Sequence, residues 1–513
     1  LIAKGEENRQ MTQTAQRPTY KGVYIDGAWR PVQESPGSFD TENPHSGDKV
    51  LRVHPADPEQ VGEAVHAAHR AFHAWRALGY EGRKDVLLRF KDQLKARRED
   101  IALAISTEMG KLYSEGLAEA DACAGKIDIT LGEAYARVSD VHPPGLTGGF
   151  WTYRPHGVMA VVGPYNFPIH LANGHIIAAL MTGNTVVFKP SSITPWVGQV
   201  YTEALHEAGF PAGVFNLLPM TRQAGDALVS HPLVRGILFT GSWAVGLHFK
   251  RLTLEDPHKI LALEMGGKNT VIVADDAHAE QTISELVTGA YLTTGQRCTG
   301  TARVIVTPKH YAKLEEALAV AAERIQSGDP FTEATFMGPL ASRGALRTFT
   351  KDLELAEAPD SGLSALVGYR QAGGVCGVGA CLHRVDRYDP HHPYLREEVF
   401  GPALTIEKAD DLDQAFRRAQ DNDYGLAFSI FSESEATFRR ALEEVPSGIV
   451  NWNRATNGAS GRLPFGGTGK SGNHRPAALF APEYCAYPVA SLSKPFAEVD
   501  RTPCPGFPQE VWK

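Results

Sequence analysis

The sequence predicts an α/β protein of more than one domain, built on parallel β-sheet, and three observations lead there. Between about residues 157 and 250, β-rich runs alternate with helical segments: GVMAVVG precedes a helix from Pro168, NTVVFKP a helix opening at Thr194-Pro195, VFNLLP a helix near Gln223, and GILFTGS another helix. Repeated βα units give a parallel sheet with helices on both faces and place ligands beyond the carboxyl ends of the strands. Those ends carry Asn166, Lys189 and the stretch Gly241 to Gly246. A second α/β region runs from about Lys268 to Ser447, with strand-like NTVIVA, RVIVT and ALTIE and helical stretches near 279–292, 310–326 and 411–419. Finally, 513 residues exceed what one hydrophobic core organises, so two or three domains are expected.

The remaining segments follow in chain order. Residue 1 is Leu and the first methionine is Met11, so the opening ten residues are set outside the expected fold. GVYIDGAWRPV alternates apolar positions across an Asp26-Gly27 turn, the pattern of an entry hairpin, and TENPHSGDKV has the composition of a loop. Asp57-Pro58 reads as an N-cap followed by a first-turn proline, after which Val61, Val65, Ala68 and Phe72 recur at helical spacing. Segments 81–109 and 111–138 are charged and alanine-rich with apolar residues three and four apart, which predicts plain scaffold helices packing one face on a sheet. Residues 356–394 are irregular, and the pattern does not order their strands. His391 and His392 lie there on an extended loop, point apart, and are expected to be solvated rather than to hold metal. The tail from Tyr484, YCAYPVASLS, reads as a late strand that Pro488 confines to an edge, suited to pairing with another subunit.

Composition bounds the function. Hydrophobic residues make up 43 % and charged residues 21 %, ordinary for a globular protein. A net charge of -8 with no block of Lys and Arg argues against a nucleic-acid partner. No apolar run reaches the roughly 18 residues of a membrane span, and LIAKGEENRQ has no apolar signal-peptide core, so a soluble, unexported protein without a membrane partner is expected. Six cysteines at irregular spacing, with no CxxC pairs, suggest neither zinc nor a disulfide framework and fit a cytoplasmic location.

The stretch GAYLTTGQRCTG, residues 289–300, carries the most chemistry. Cys298 lies between Arg297 and Thr299, with Gly295 and Gly300 freeing the backbone to turn, rather than inside an apolar run. A free thiol titrates near pH ~8.5, so a nearby cation must raise its thiolate fraction or a base must act on it; Arg297 is a candidate for the first role. An inert, buried cysteine is the competing account. In FTGSWAVG a strand runs through Gly241 and Ser242 into a helix containing Gly246, a place where backbone N–H groups can meet a pyrophosphate, although the spacing is not GxGxxG and a simple turn is the alternative. Lys189 ends NTVVFK and could reach ribose hydroxyls or an adenosine phosphate, or be only a surface lysine. Glu264, ending the apolar LALE, pays a desolvation cost that raises its pKa toward that of a base, unless an ion pair holds it. In GPYNFP, Asn166 is a candidate oxyanion donor or a turn residue. EEVFGP offers Glu398 and Phe400, a carboxylate and an aromatic near a strand end, open to a packing reading as well.

GPYNFP, KPSSITP, FTGSWAVG, LEMGGKN, GQRCTG, EEVFGP and PFGGTGKSG occur in the order and approximate spacing of the aldehyde dehydrogenase superfamily, which the chain resembles from about residue 20 to 495. NFPIHLANGHI, GIVNWNRATNGAS, SGNHRPAALFAPEYCAYPVASL and LALEMGG look most like its succinylglutamic semialdehyde dehydrogenase branch. The resemblance implies an enzyme that oxidises a small aldehyde with NAD or NADP. Cys298 would form a thiohemiacetal and then a thioester, Asn166 would hold the oxyanion, and Glu264 would activate the hydrolytic water. Gly241, Ser242 and Gly246 would face the pyrophosphate, Lys189 and Ser192 the adenosine ribose, and Glu398 with Phe400 the nicotinamide ribose and ring. The implied fold has a Rossmann-like cofactor domain at 11–138 and 158–267 and a catalytic domain at 268–462. A bridging β segment, built from 139–157 and the strand within a C-terminal segment at 463–495, would join a homodimer or homotetramer.

Departures from the family pattern bear on specificity. Ser192 replaces a glutamate that opposes a 2′-phosphate, so NADP is less excluded; Trp243 is bulkier than the usual residue in the glycine turn; Gly300 replaces a second cysteine. An acidic semialdehyde needs a cation near the mouth of its pocket, and Arg297, beside Cys298, with His474 and Arg475 in the SGNHRP segment, are the candidates. Alternatives kept open are a CoA-acylating dehydrogenase, against which Glu264 argues, and a non-catalytic binding protein on the same fold.

Overall fold

The computed structural model describes residues 18–494 and residues 505, 506, 508 and 510. The expected opening extension, the first seven residues of the expected 11–138 segment, the last residue of 463–495, and Cys504 lie outside them.

The chain builds two seven-stranded sheets. In the first, the order across the sheet is Ile260–Glu264, Val234–Thr240, Val158–Val162, Thr185–Lys189, Phe215–Leu217, and then the hairpin Val23–Ile25 with Ala28–Arg30. The first five strands are parallel and the hairpin is antiparallel. Val158–Val162 is buried throughout, as a strand covered by helices on both faces must be. The Asp26-Gly27 turn has φ of 55° and 81°, the positive pair that a two-residue hairpin requires. Helix Pro58–Ala77 opens as expected: Asp57 accepts from the Gln60 N–H while the Gln60 side chain returns to the Asp57 N–H, and Val61, Val65 and Ala68 are buried.

From the strand at 158–162 the chain steps outward one way through 185–189 and 215–217, then returns to its other side at 234–240. That reversal opens a crevice beyond the carboxyl ends. Register sharpens the point: Glu264 pairs with Thr240, Phe239 with Val162, and Val162 with Lys189, so the candidate residues form one row along a single sheet edge.

The second sheet runs Leu363–Val367, Cys381–Val385, Ala403–Lys408, Thr301–Val306, Asn269–Val273, Ala427–Phe431, Ile449–Trp452, all parallel except the first strand. The irregular 356–394 segment thus contributes an antiparallel edge pair. One further expectation is corrected and one is sharpened. TENPHSGDKV is a loop only in its middle, because Phe39–Glu42 pairs with Lys49–Val53 and buries Thr41, Val50 and Leu51. The 81–109 segment is two helices, Gly79–Ala96 and Arg98–Met109, broken at Arg97, where φ −98° and ψ 17° leave the helical well. The late strand Ala486–Leu492 pairs along its whole length with Gly149–Pro155, with Pro488 opposite Tyr153. No helix among the described residues is long and apolar enough to cross a membrane, and none of their His, Cys, Asp and Glu side chains cluster as a metal site.

Candidate active site between two sheet edges

The carboxyl edge of the first sheet faces segments at the amino edge of the second, and the candidate residues collect in between. Helix Ala279–Tyr291 ends in a tight turn in which Thr293, Thr294 and Gly295 all take positive φ, of 56°, 57° and 65°. Two β-branched residues in that region cost of order 1–3 kcal/mol each and persist only where neighbours hold them. The neighbours are specific: the Thr294 hydroxyl donates to Gly338 O at 2.8 Å and the Thr293 hydroxyl to Glu115 Oε1 at 2.5 Å. A side chain at Gly295 would overlap the Gly401 carbonyl, so glycine lets this turn lie against the segment that carries Glu398.

Beyond the turn, Asn269 at the start of its strand clamps the Cys298 loop. Its Nδ2 donates to Cys298 O at 2.7 Å and Gly300 O at 2.8 Å, and its Oδ1 accepts from the Ala427 N–H at 3.0 Å. Cys298 is half-buried, and the backbone N–H groups of Thr299 and Cys298 are directed at its sulfur. Burial, then the carboxyls of Glu398 and Glu264, push the thiol up to about 12. Arg297 therefore does not serve as the cation that lowers it. Its guanidinium donates to the Thr293 hydroxyl at 2.8 Å, pairs with Glu115 at 2.9 Å and lies over the Phe167 ring, so it braces the turn instead.

Asn166 follows the central strand and is buried; its Nδ2 donates one hydrogen to Gln296 O at 2.9 Å, which ties it to the same loop and leaves the second hydrogen. Glu264 ends its strand with a buried carboxyl, and burial raises its pKa well above the usual range, partly offset by the Ala477 amide. Its Oε2 takes no hydrogen bond from the described residues. Glu398 Oε1 accepts from the Gly267 N–H at 2.9 Å, and burial pushes that carboxyl up to about 7. Phe400 meets Tyr165 edge-on at 5.9 Å between ring centres.

Two cavities flank this group. One, of about 460 Å³, is lined by Lys189, Ser192, Arg222, Gly225, Val245 and Phe249 among others. Lys189 is half-buried, its Nζ donates to Pro190 O at 3.2 Å, and burial lowers its pKa to about 8. Ser192 is exposed at the rim. Ser242 starts helix Trp243–Leu252 without a side-chain cap, so the first-turn amides face outward. Side chains at Gly241 and Gly246 would strike Phe239 and Met265, so these glycines bring the helix close to the strand. A half-buried cation short of acceptors and an uncapped helix start suit an anionic dinucleotide, and the donor set fits NAD(P). Trp243 packs its ring against the apolar cluster behind this turn.

The other cavity, of about 200 Å³, opens beside Cys298 and is lined by Lys126, Phe167, His170, Leu171, Arg297, Gly461, Phe465 and Ala477 among others.

The aldehyde dehydrogenase family model matches residues 29–485. The chain belongs to the aldehyde dehydrogenase family. An N-succinylglutamate 5-semialdehyde dehydrogenase of Caulobacter vibrioides is 42 % identical over 481 residues, covering 92 % of this chain and 96 % of that relative. Among solved structures, the gamma-glutamyl-gamma-aminobutyraldehyde dehydrogenase of Burkholderia cenocepacia superposes with a TM-score of 0.88 at 29 % identity, covering 95 % of this chain and 99 % of that one. A mutant of aldehyde dehydrogenase C from Pseudomonas syringae, complexed with NAD+ and octanal, gives 0.87 at 28 % identity, with coverage of 94 % and 98 %.

Against this aldehyde dehydrogenase site, the sequence reading of the substrate end needs correcting. His474 and Arg475 are exposed on a loop that Asn473 anchors to the Ile260–Glu264 strand, and neither lines the cavity beside Cys298. Conversely, helix Tyr113–Ile129, expected to be plain scaffold, lays a buried polar stripe along the site. Glu119 pairs with Lys111 at 2.7 Å with both side chains fully buried, and its Oε1 accepts from the His170 N–H. Glu115 holds Arg297, and Lys126 lines the cavity. The spacing of 115, 119 and 126 places all three on one helical face, which was the available signal. Asn269 was also missed, because a clamp on two distant carbonyls has no local pattern.

Proposed function

We propose that this chain oxidises an acidic semialdehyde, N-succinylglutamate 5-semialdehyde foremost, to its carboxylate with NAD or NADP, through a thioester on Cys298. The observation that carries this reading is the convergence of Cys298, Asn166, Glu264 and Glu398 where the two sheet edges meet. The 42 % identity to a relative named for that substrate supports the choice of aldehyde.

Cys298 Sγ attacks the aldehyde carbon, and because burial raises the pKa of its thiol, the attack is coupled to loss of the thiol proton to solvent through the cavity that opens beside it. The free Asn166 amide hydrogen and the Cys298 backbone N–H donate to the oxygen as it becomes an oxyanion. When bound, NAD(P) supplies the hydride acceptor that makes the thiohemiacetal a thioester. Glu264, raised by burial, then takes a proton from water as that water attacks the thioester, which frees the acid and the sulfur. Lys189 and Ser192 would hold the adenosine ribose, Gly241, Ser242 and Gly246 the pyrophosphate, and Glu398 with Phe400 the nicotinamide end.

The same reading divides the chain into a cofactor domain (11–138 and 158–267), a catalytic domain (268–462) and oligomerisation segments (139–157 and 463–495). The two-stranded arm, with exposed Tyr487 and Leu492, supports a homodimer or homotetramer. A cytoplasmic location belongs to the same reading. The test is reduced-nicotinamide absorbance with a panel of acidic and neutral aldehydes, each cofactor, and with or without CoA. Acid formation without CoA is expected; strict dependence on CoA would make it an acylating enzyme, and no turnover with any aldehyde would make it a binding protein.

A further inference from the structure

The cavity beside Cys298 contains a cation that no acid balances. Lys126 projects from helix Tyr113–Ile129, is buried, and its Nζ donates to Gly461 O at 3.2 Å. No described carboxylate pairs with it, and burial alone depresses its pKa to about 8. The other buried lysines are accounted for. Lys111 pairs with Glu119, Lys259 with Asp256, and Lys268 feels Asp352 and Glu398; Lys189 is only half-buried and lines the other groove. Arg297 shares the Lys126 cavity, but Glu115 already matches its charge. A second buried polar atom in the same wall, His170 Nδ1, has no partner among the described residues.

An ammonium ion enclosed without a counter-charge is costly, and one hydrogen bond to a carbonyl leaves two of its three donors unused. The natural complement is an anion brought in by the substrate, at the opposite end from the aldehyde that Cys298 attacks. We propose that Lys126 receives the distal carboxylate of the aldehyde, with His170 Nδ1 as a further donor, and is thereby the residue that selects acidic semialdehydes. This rests on the semialdehyde reading above and assigns to Lys126 the role that His474 and Arg475 cannot fill from outside the cavity. The Gly458–Gly461 segment would form the wall that holds the Lys126 head in place through the Gly461 carbonyl.

The test compares wild type, Lys126→Met and Lys126→Arg with N-succinylglutamate 5-semialdehyde and with hexanal. Loss of a charge-assisted contact is expected to lower the acidic-to-neutral ratio of kcat/KM by about 10–100-fold in Lys126→Met, chiefly through KM, with partial recovery in Lys126→Arg. A second readout needs no turnover: N-succinylglutamate should raise the melting temperature of wild type and not that of Lys126→Met, a variant expected to fold because it replaces an unpaired buried charge with an apolar chain. If wild type favours the acidic aldehyde and Lys126→Met keeps that ratio, the assignment of Lys126 is overturned while the substrate reading stands. If wild type itself shows no preference for acidic aldehydes, the substrate reading and this assignment fall together.

Discussion

The Asn269 clamp gives the sharpest single perturbation. Asn269 is 2 % exposed and uses its amide fully against the nucleophile loop: two hydrogens to Cys298 O and Gly300 O, and its oxygen to the Ala427 N–H. A side chain at neighbouring Gly267 would overlap the Cys298 carbonyl, so the loop is tightly seated there. Asn269→Ala removes three hydrogen bonds at about 1 kcal/mol net each, so roughly 3 kcal/mol of stability should go with them. Asn269→Asp keeps the shape but turns the donor into an anionic acceptor facing two carbonyls in a buried place, and should cost more than Ala despite being isosteric. Because the lost contacts fix the backbone of Cys298, kcat should fall together with stability. Urea unfolding followed by tryptophan fluorescence, with aldehyde oxidation measured in parallel, checks both. An Asp variant within about 0.5 kcal/mol of wild type, a change typical of surface substitutions, would refute the clamp.

Three further outcomes follow from the same geometry. Glu264→Gln should leave the first turnover intact and slow thioester hydrolysis by about 10²–10⁴-fold, seen as a burst of reduced cofactor in stopped flow; a loss confined to the burst itself would contradict the assigned role. In the enzyme without cofactor, the Cys298 thiol is raised to about 12, so its thiolate fraction grows about tenfold per pH unit; iodoacetamide labelling should keep accelerating well past pH ~8.5 instead of levelling there. Lys111→Met strands the fully buried Glu119 carboxylate and should destabilise the protein by about 3–5 kcal/mol, a loss that Lys111→Met with Glu119→Gln, which removes the charge but keeps an acceptor for the Ile169 and His170 N–H groups, should partly restore in a thermal-melt comparison.

The parallel core of both sheets was legible because alternating βα segments carry their own signature; Asn166, Lys189 and Gly241 followed from where such sheets bind ligands, and Glu264 from the desolvation of a carboxylate ending an apolar strand. The edges were not. Leu363–Val367 is half exposed and pairs antiparallel with the next strand across an irregular loop, and Phe39–Glu42 is only four residues long, so neither has enough alternation to stand out. At the site, Cys298 announced itself by its polar, glycine-flanked setting. The behaviour of Arg297 did not, because its partner Glu115 lies 182 residues away and sequence adjacency to the cysteine suggested the wrong contact. Lys126 was hidden for a similar reason: a lysine in an alanine-rich helix reads as solvated unless the tertiary packing around it is known.

The measurement that bears most directly on the central claim is intact-protein and peptide mass spectrometry of the Glu264→Gln enzyme quenched after mixing with semialdehyde and oxidised cofactor. An acyl adduct is expected on the peptide containing Cys298, absent when Cys298 is replaced by Ala. An active enzyme in which no adduct maps to that peptide, or a Cys298→Ala enzyme that oxidises aldehyde at the wild-type rate, would contradict that claim.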